Sequence, residues 1–207
     1  MFYVIKGRFT KRFYKGLAIL SLCVLWASPC RAHTIVDDHK DMQIKAEKTL
    51  QDTEIYMQKK YHLHLADDMT IINTYEYEKT LREYDLQDIQ YAIEHSAAIS
   101  VPTRNLIVIN MNIVSLEAYE FFLTHELVHK YETEKSKYHT GLAEGIADVI
   151  AMDVRGVHLE CKDQHIPYEE LTTGQGFQEA VEKYGELQVY EQCRYYARKH
   201  LEKEKEI

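Results

Sequence analysis

The chain has 207 residues, of which 25 are Lys or Arg and 33 are Asp or Glu, so its formal net charge is −8. This length is sufficient for one domain with a substantial hydrophobic core. Without residues 1–32, 19 basic residues remain against 33 acidic ones and the net charge becomes −14. An acidic protein of this kind is not expected to bind nucleic acid or an anionic membrane, because both carry negative charge.

Residues 1–32 are predicted to be a secretory signal peptide. Met1–Lys15 contains five basic residues and no acidic one, Gly16–Ser28 is an apolar run of 13 residues, and the segment ends in the small residue Ala32. This order is typical of a cleaved leader, whereas a membrane-spanning helix needs about 20 apolar residues. We therefore expect a secreted or periplasmic protein without stable membrane insertion after cleavage.

The remaining residues, 33–207, read as a single domain, because they contain no Gly/Ser/Pro-rich linker and no internal repeat. In chain order, the predicted elements are a helix over 37–60, a strand over 69–74, a helix over 77–94, a strand over 105–110, a helix from 115 to about 132, a helix from 141 to about 154, and a helical segment from 178 to the end. Mostly helical segments with two or three strands predict an α+β fold.

The predicted helix that begins near Ser115 is expected to lie at the centre of the domain. Ser115 is a good N-cap residue, and the following turns are apolar almost all round, with Phe121, Leu127 and Val128 among the contributing side chains. Burying polar groups on such a helix is costly unless they have partners.

That helix carries the sequence HELVH, in which His125 and His129 are four residues apart. At this spacing, both imidazoles project from one face of the helix and can reach a single Zn²⁺ ion. Glu126 is rotated away from that face, where it can act as a general base on a water molecule.

A catalytic zinc site needs a third protein ligand, and three downstream residues are candidates. Glu132 lies about 10 Å along the helix axis from His125, by the rise of about 1.5 Å per residue, which is too far. His139 would complete a three-histidine site. Glu144 is preferred, because it lies in the first turn of the next helix, and Asp148 on the same face can accept the free N–H of a ligating histidine.

The pair of motifs HELVH and EGIAD resembles the signature of the gluzincin metallopeptidases, HExxH followed by a helix with ExxxD. The resemblance implies a small zincin-like domain with a short mixed sheet, in which His125, His129 and Glu144 hold zinc, Glu126 is catalytic and Asp148 orients a histidine. It also implies that the strand over 105–110 is an edge strand along which the substrate lies extended.

Gluzincins also use a Tyr or His to stabilise the oxyanion, and in small members a tyrosine of a late helix often has this role. The late segment QVYEQCRYYARKHL resembles that helix, and Tyr190 is therefore nominated as the second catalytic residue. A phenol donor aimed at the developing oxyanion contributes a few kcal/mol to catalysis. Tyr138, His139 and Tyr196 remain alternatives.

Two cysteines, Cys161 and Cys193, are left after removal of the leader. In an oxidising compartment they are predicted to form one disulfide, and two separate buried thiols are the alternative.

The sequence thus predicts an exported zinc metallopeptidase that acts on a peptide or protein substrate. The alternative function is a secreted binding or interaction module in which zinc only stabilises the fold.

Overall fold

The structure of the protein is a computed structural model that describes residues 34–37, 40–63, 68–84, 90, 93, 96–101, 104–135, 140–158 and 160–204. The predicted leader, residues 1–32, lies outside these residues, as do Tyr138 and His139.

The described part of the chain folds into six α-helices and one four-stranded sheet. In chain order, the elements are β1 (Thr34–Val36), α1 (Lys40–Tyr61), β2 (Thr70–Thr74), α2 (Tyr77–Glu83), β3 (Ala98–Val101), β4 (Leu106–Asn110), α3 (Tyr119–Lys135), α4 (Thr140–Val154), a 3₁₀ turn (Tyr168–Leu171), α5 (Gly174–Tyr184) and α6 (Glu186–Glu204). The predicted α+β fold, mostly helical with a short mixed sheet, is confirmed. No helix among the described residues is long and apolar enough to cross a membrane.

The sheet has the strand order β1-β2-β4-β3, in which β1, β2 and β4 are parallel and β3 is antiparallel to β4. Successive residues of each strand point to opposite faces of the sheet. Ile71 and Ile107 belong to the main core beside α1 and α3, whereas Ile72 and Val108 belong to a smaller core with α2.

The strand predicted over 105–110 is therefore internal, and its prediction as an edge strand is wrong. It corresponds to β4, which pairs with β2 on one side and β3 on the other, and four of its five residues are buried. Within the described sheet, the strand at the end beside α3 is β3, a short segment that the sequence analysis did not identify.

Helix α3 occupies the centre of the domain, as its composition predicted. Leu123, Leu127 and Val128 are completely buried. The Thr124 hydroxyl lies 3.1 Å from that of Thr53 on α1, in a buried hydrogen bond that fixes the two helices against each other next to His125.

Helices α4 and α6 run in the same direction and are joined by two ion pairs. Arg194 donates to Asp148 at 2.9 Å, and further along both helices Arg198 donates to the two carboxylate oxygens of Asp153 at 2.6 and 2.9 Å. The Asp153 carboxylate also accepts the Tyr56 hydroxyl of α1 at 3.0 Å. These contacts fix α1, α4 and α6 to one another beside the core.

The backbones of α4 and α6 approach most closely at Gly145. A Cβ atom added to Gly145 would lie 2.2 Å from the carbonyl oxygen of Cys193, so the contact requires glycine. The small side chains of Ala147 and Ala151 on α4 are also completely buried, as close packing requires. The glycine contact with α6, however, was not foreseen.

The predicted disulfide is not formed: Cys161 and Cys193 both remain thiols. The reason is that they face different neighbours. The Cys193 sulfur lies 3.2 Å from the position of a Cβ atom on Gly141, and burial raises the pKa of this thiol to about 12. Cys161 instead hydrogen-bonds to Arg198, further along α6.

We expect Gly145→Ala to lower the free energy of unfolding by about 3 kcal/mol, because overpacking a core costs about 1–3 kcal/mol and the clashing atoms here are backbone atoms that cannot rotate away. Urea unfolding followed by circular dichroism measures this change. The matched control is Gly174→Ala, whose added methyl has no neighbour within 4 Å. Equal losses in the two variants would contradict the close approach of α4 and α6.

Candidate metal centre

The candidate centre is built on α3, whose start is fixed by Ser115. The backbone N–H of Tyr119 donates to the Ser115 carbonyl at 3.0 Å, and the Ser115 hydroxyl accepts the N–H of Ala118 at 3.3 Å. The predicted N-cap role of Ser115 thus agrees with the structure, although the regular helix begins only at Tyr119.

His125 and His129 lie on the same face of α3. Their Nε2 atoms are 3.1 Å apart, and their rings are nearly perpendicular, with an angle of 78° between the planes. The side chains are 12% and 19% exposed, so the two nitrogens converge at a point that solvent reaches only partly.

Glu144 of α4 closes this group from the neighbouring helix. Its Oε2 atom is 3.3 Å from His125 Nε2, and its Oε1 atom is 3.5 Å from His129 Nε2. The structure thus brings together the three predicted ligands, and His125, His129 and Glu144 form a group that could hold a metal ion. Of the two other candidates, His139 and the side chain of Glu132 lie outside the described residues.

Asp148 lies one helical turn after Glu144 and binds the other nitrogen of His125. Its Oδ1 atom is 2.9 Å from His125 Nδ1, so the Nε2 atom of that ring is left to face His129 and Glu144. The sequence analysis predicted this role for Asp148. The second oxygen, Oδ2, accepts Arg194 Nη1 at 2.9 Å, and this contact was not predicted.

The charges of the group are mutually dependent. Burial would lower the pKa of His125, but hydrogen bonds to Asp148 and Glu144 raise it well above its ordinary value. Burial would raise the pKa of Glu144, but the hydrogen bond from His125 and the nearby charge of His129 lower it. A cation that binds here must therefore displace a proton, as is usual for histidine ligands.

Glu126 lies beside the group but does not belong to it. It is only 7% exposed, and burial raises the pKa of its carboxyl group, while the two neighbouring histidines oppose that rise. The backbone of Ser100 in β3 provides a hydrogen bond to this carboxylate. A buried carboxyl group with a raised pKa is suited to accept and return a proton.

Two further polar groups around Glu126 were missed by the sequence analysis. The buried Tyr77 hydroxyl and the buried Ser100 hydroxyl make no hydrogen bond to any described residue. Burial, followed by the negative charge of Glu126, raises the pKa of Tyr77. Tyr77 is separated from Glu126 by 49 positions in the chain, and no local sequence signal connects the two.

Tyr190 lies in the second turn of α6, and its ring packs edge-on against Phe177, with 5.5 Å between the ring centres. Arg194 is one turn further along α6 and contacts Asp148, which is one turn after Glu144 on α4. The backbone of Cys193 lies beside Gly145, and α4 and α6 run in the same direction, so Tyr190 lies nearly one turn before Gly145 along the helix axes. Of the alternatives, Tyr196 donates its hydroxyl to the Ile166 carbonyl at 2.8 Å and is thereby occupied.

The chain matches no protein-family model, no curated protein and no solved structure.

We expect the protein to bind one divalent cation per chain, and Glu144→Ala to weaken that binding by on the order of 3 kcal/mol. This magnitude follows because four ligands share about 10–16 kcal/mol in structural zinc sites. Isothermal titration with zinc and with cobalt measures both the stoichiometry and the affinity. The control is Glu160→Ala, which removes an exposed carboxylate. Equal affinities in the two variants would contradict the assignment of Glu144.

Proposed function

We propose that this chain is a zinc-dependent metallopeptidase of the gluzincin type, with His125, His129 and Glu144 as the zinc ligands. The proposal is carried by the convergence of the three side chains, since one ligand atom from each lies within 4.8 Å of the other two. Tetrahedral zinc with bonds of about 2.0–2.1 Å has ligand atoms about 3.3 Å apart. Here the two histidine Nε2 atoms are 3.1 Å apart, and they lie 3.3 and 3.5 Å from Oε2 and Oε1 of Glu144, respectively.

The composition of the donor set favours catalysis over a purely structural role. Structural zinc sites are usually closed by four protein ligands that include cysteine, whereas catalytic sites have three protein ligands and an open position. Here three ligands come from two helices, and Cys193, a buried neighbour, faces Gly141 instead. Zinc bound to such a set lowers the pKa of a water molecule and polarises a carbonyl oxygen.

Glu126 is proposed as the general base and, later, the general acid. Its carboxylate takes a proton from the attacking water and returns it to the nitrogen of the leaving amine. Its burial supports this role, because desolvation raises its pKa and makes the carboxylate a stronger base towards the proton of the water.

The substrate is proposed to lie along β3 rather than along β4. Asn110 N–H donates to the Ala97 carbonyl at 2.9 Å, so, by the alternation of an antiparallel ladder, the peptide groups of Ser100 point away from β4. The Ser100 backbone reaches Glu126 on that outer side. An extended peptide that pairs with β3 would therefore pass beside the carboxylate.

Tyr190 is proposed as the donor to the developing oxyanion. Its support is its position on α6, one turn before Arg194, which contacts Asp148. Export to the cell exterior or periplasm through residues 1–32 is part of the same proposal and is supported by the charge and hydropathy of that segment.

We expect Glu126→Gln to retain zinc and to lower kcat for hydrolysis of a denatured protein substrate by at least about 100-fold, the usual contribution of general acid–base catalysis. Fluorescence dequenching of labelled casein measures the rate, and metal analysis of the same sample gives the zinc content. Glu160→Gln, at an exposed position, is the control. If the unchanged chain binds zinc stoichiometrically but cleaves no member of a peptide library, a zinc-stabilised binding module is favoured instead.

We expect Tyr190→Phe to reduce kcat by about 30-fold with a nearly unchanged KM, because a donor that acts only on the oxyanion contributes about 2–4 kcal/mol in the transition state alone. Steady-state kinetics on a fluorogenic peptide selected from the library provide both constants. Tyr195→Phe, on the same helix, serves as the comparison. An effect confined to stability, with kcat intact, would remove Tyr190 from the mechanism.

A further inference from the structure

Arg194 is connected to the candidate metal centre through Asp148. The Asp148 carboxylate uses Oδ1 for His125 Nδ1 and Oδ2 for Arg194 Nη1, each at 2.9 Å. The carboxylate is only 7% exposed and the arginine side chain 20% exposed. A continuous series of short contacts thus extends from the histidine ring on α3, through α4, to α6.

The arginine holds the carboxylate in one orientation. Both oxygens of Asp148 have partners on opposite sides, and rotation of the carboxylate would break both contacts at once. Because the Asp148 carboxylate is buried, loss of the guanidinium would leave its Oδ2 atom without a partner and only Oδ1 held, by His125. The carboxylate would then be free to turn, and the ring of His125 would lose its fixed direction.

We propose that Arg194 is a positioning residue for metal binding, acting through Asp148 on the imidazole of His125. This inference rests on the proposed function, since it concerns the same centre. The competing explanation is an ordinary structural ion pair that only holds α4 and α6 together.

The chain contains an internal comparison for these two explanations. Arg198, one turn after Arg194, joins the same two helices through Asp153, and its contacts are the shorter and more numerous. The partners described for Asp153 are Tyr56, Lys60 and Arg198, none of which is a proposed ligand. Both arginines join α6 to α4, but of the two only Arg194 binds a carboxylate that also contacts a histidine of the centre.

The experiment compares Arg194→Met with Arg198→Met, each assayed for zinc affinity by competition with a chromogenic chelator and for stability by thermal unfolding without zinc. We expect Arg194→Met to weaken zinc binding on the order of tenfold, as is usual when an outer partner of a ligating histidine is removed. We expect Arg198→Met to lower the melting temperature by at least as much and to leave the zinc affinity within about twofold of the unchanged chain. Arg194→Lys should recover most of the affinity, because an ammonium can also donate to Oδ2.

Three results would overturn the inference. Equal zinc affinities in Arg194→Met and the unchanged chain would show a structural ion pair, as would equal losses of affinity in the two arginine variants. If Arg194→Met does not fold, Arg194→Gln is compared with Arg198→Gln. A difference of less than about threefold between their zinc affinities then overturns the inference. An unchanged chain that binds no zinc refutes the proposed function itself, which separates that failure from failure of the role of Arg194.

Discussion

The architecture of the centre depends on the hydrogen bond between His125 Nδ1 and Asp148 Oδ1, at 2.9 Å. This contact joins α3 to α4, and it determines which nitrogen of the ring faces His129 and Glu144. Imidazole and carboxylate groups in such a buried position would be costly if each were isolated. Because the two groups hydrogen-bond to each other, α3 can carry these polar side chains although it lies at the centre of the domain. A cation would take the place of the proton that the group otherwise retains.

Helix α4 packs against both α3 and α6, and the sequence EGIAD supplies the residues for both contacts. Glu144 and Asp148 are four residues apart and therefore share the face that meets α3. Gly145 is rotated from that face and meets the backbone of α6, where no side chain would fit. The close approach brings Arg194 within reach of Asp148. A packing feature of one helix face thus supports the charge arrangement on another.

The sequence predicted the contacts that depend on local spacing and missed those that depend on long-range packing. His125 with His129, and Glu144 with Asp148, follow from the helical repeat. Arg194 is 46 positions from Asp148, and nothing in the local pattern pairs them. The strands β1 and β3, of three and four residues, are too short to show an alternating pattern. The continuous apolar run LIVI of β4 did contain a usable signal, because strands buried on both faces read in this way, and it argued for an internal strand.

The position of Glu126 is the feature that a simple stabilising metal site does not require. A carboxylate next to two histidines could have been a fourth ligand, yet it is turned towards β3 and accepts a hydrogen bond from the Ser100 backbone. Its burial is unfavourable for the folded state, since desolvation penalises the charged form. If the cation served only to stabilise the fold, an apolar residue in place of Glu126 would make the folded state more stable. A buried carboxylate between the three candidate ligands and an outward-facing strand edge instead supports the proposed proton transfer to and from an extended peptide.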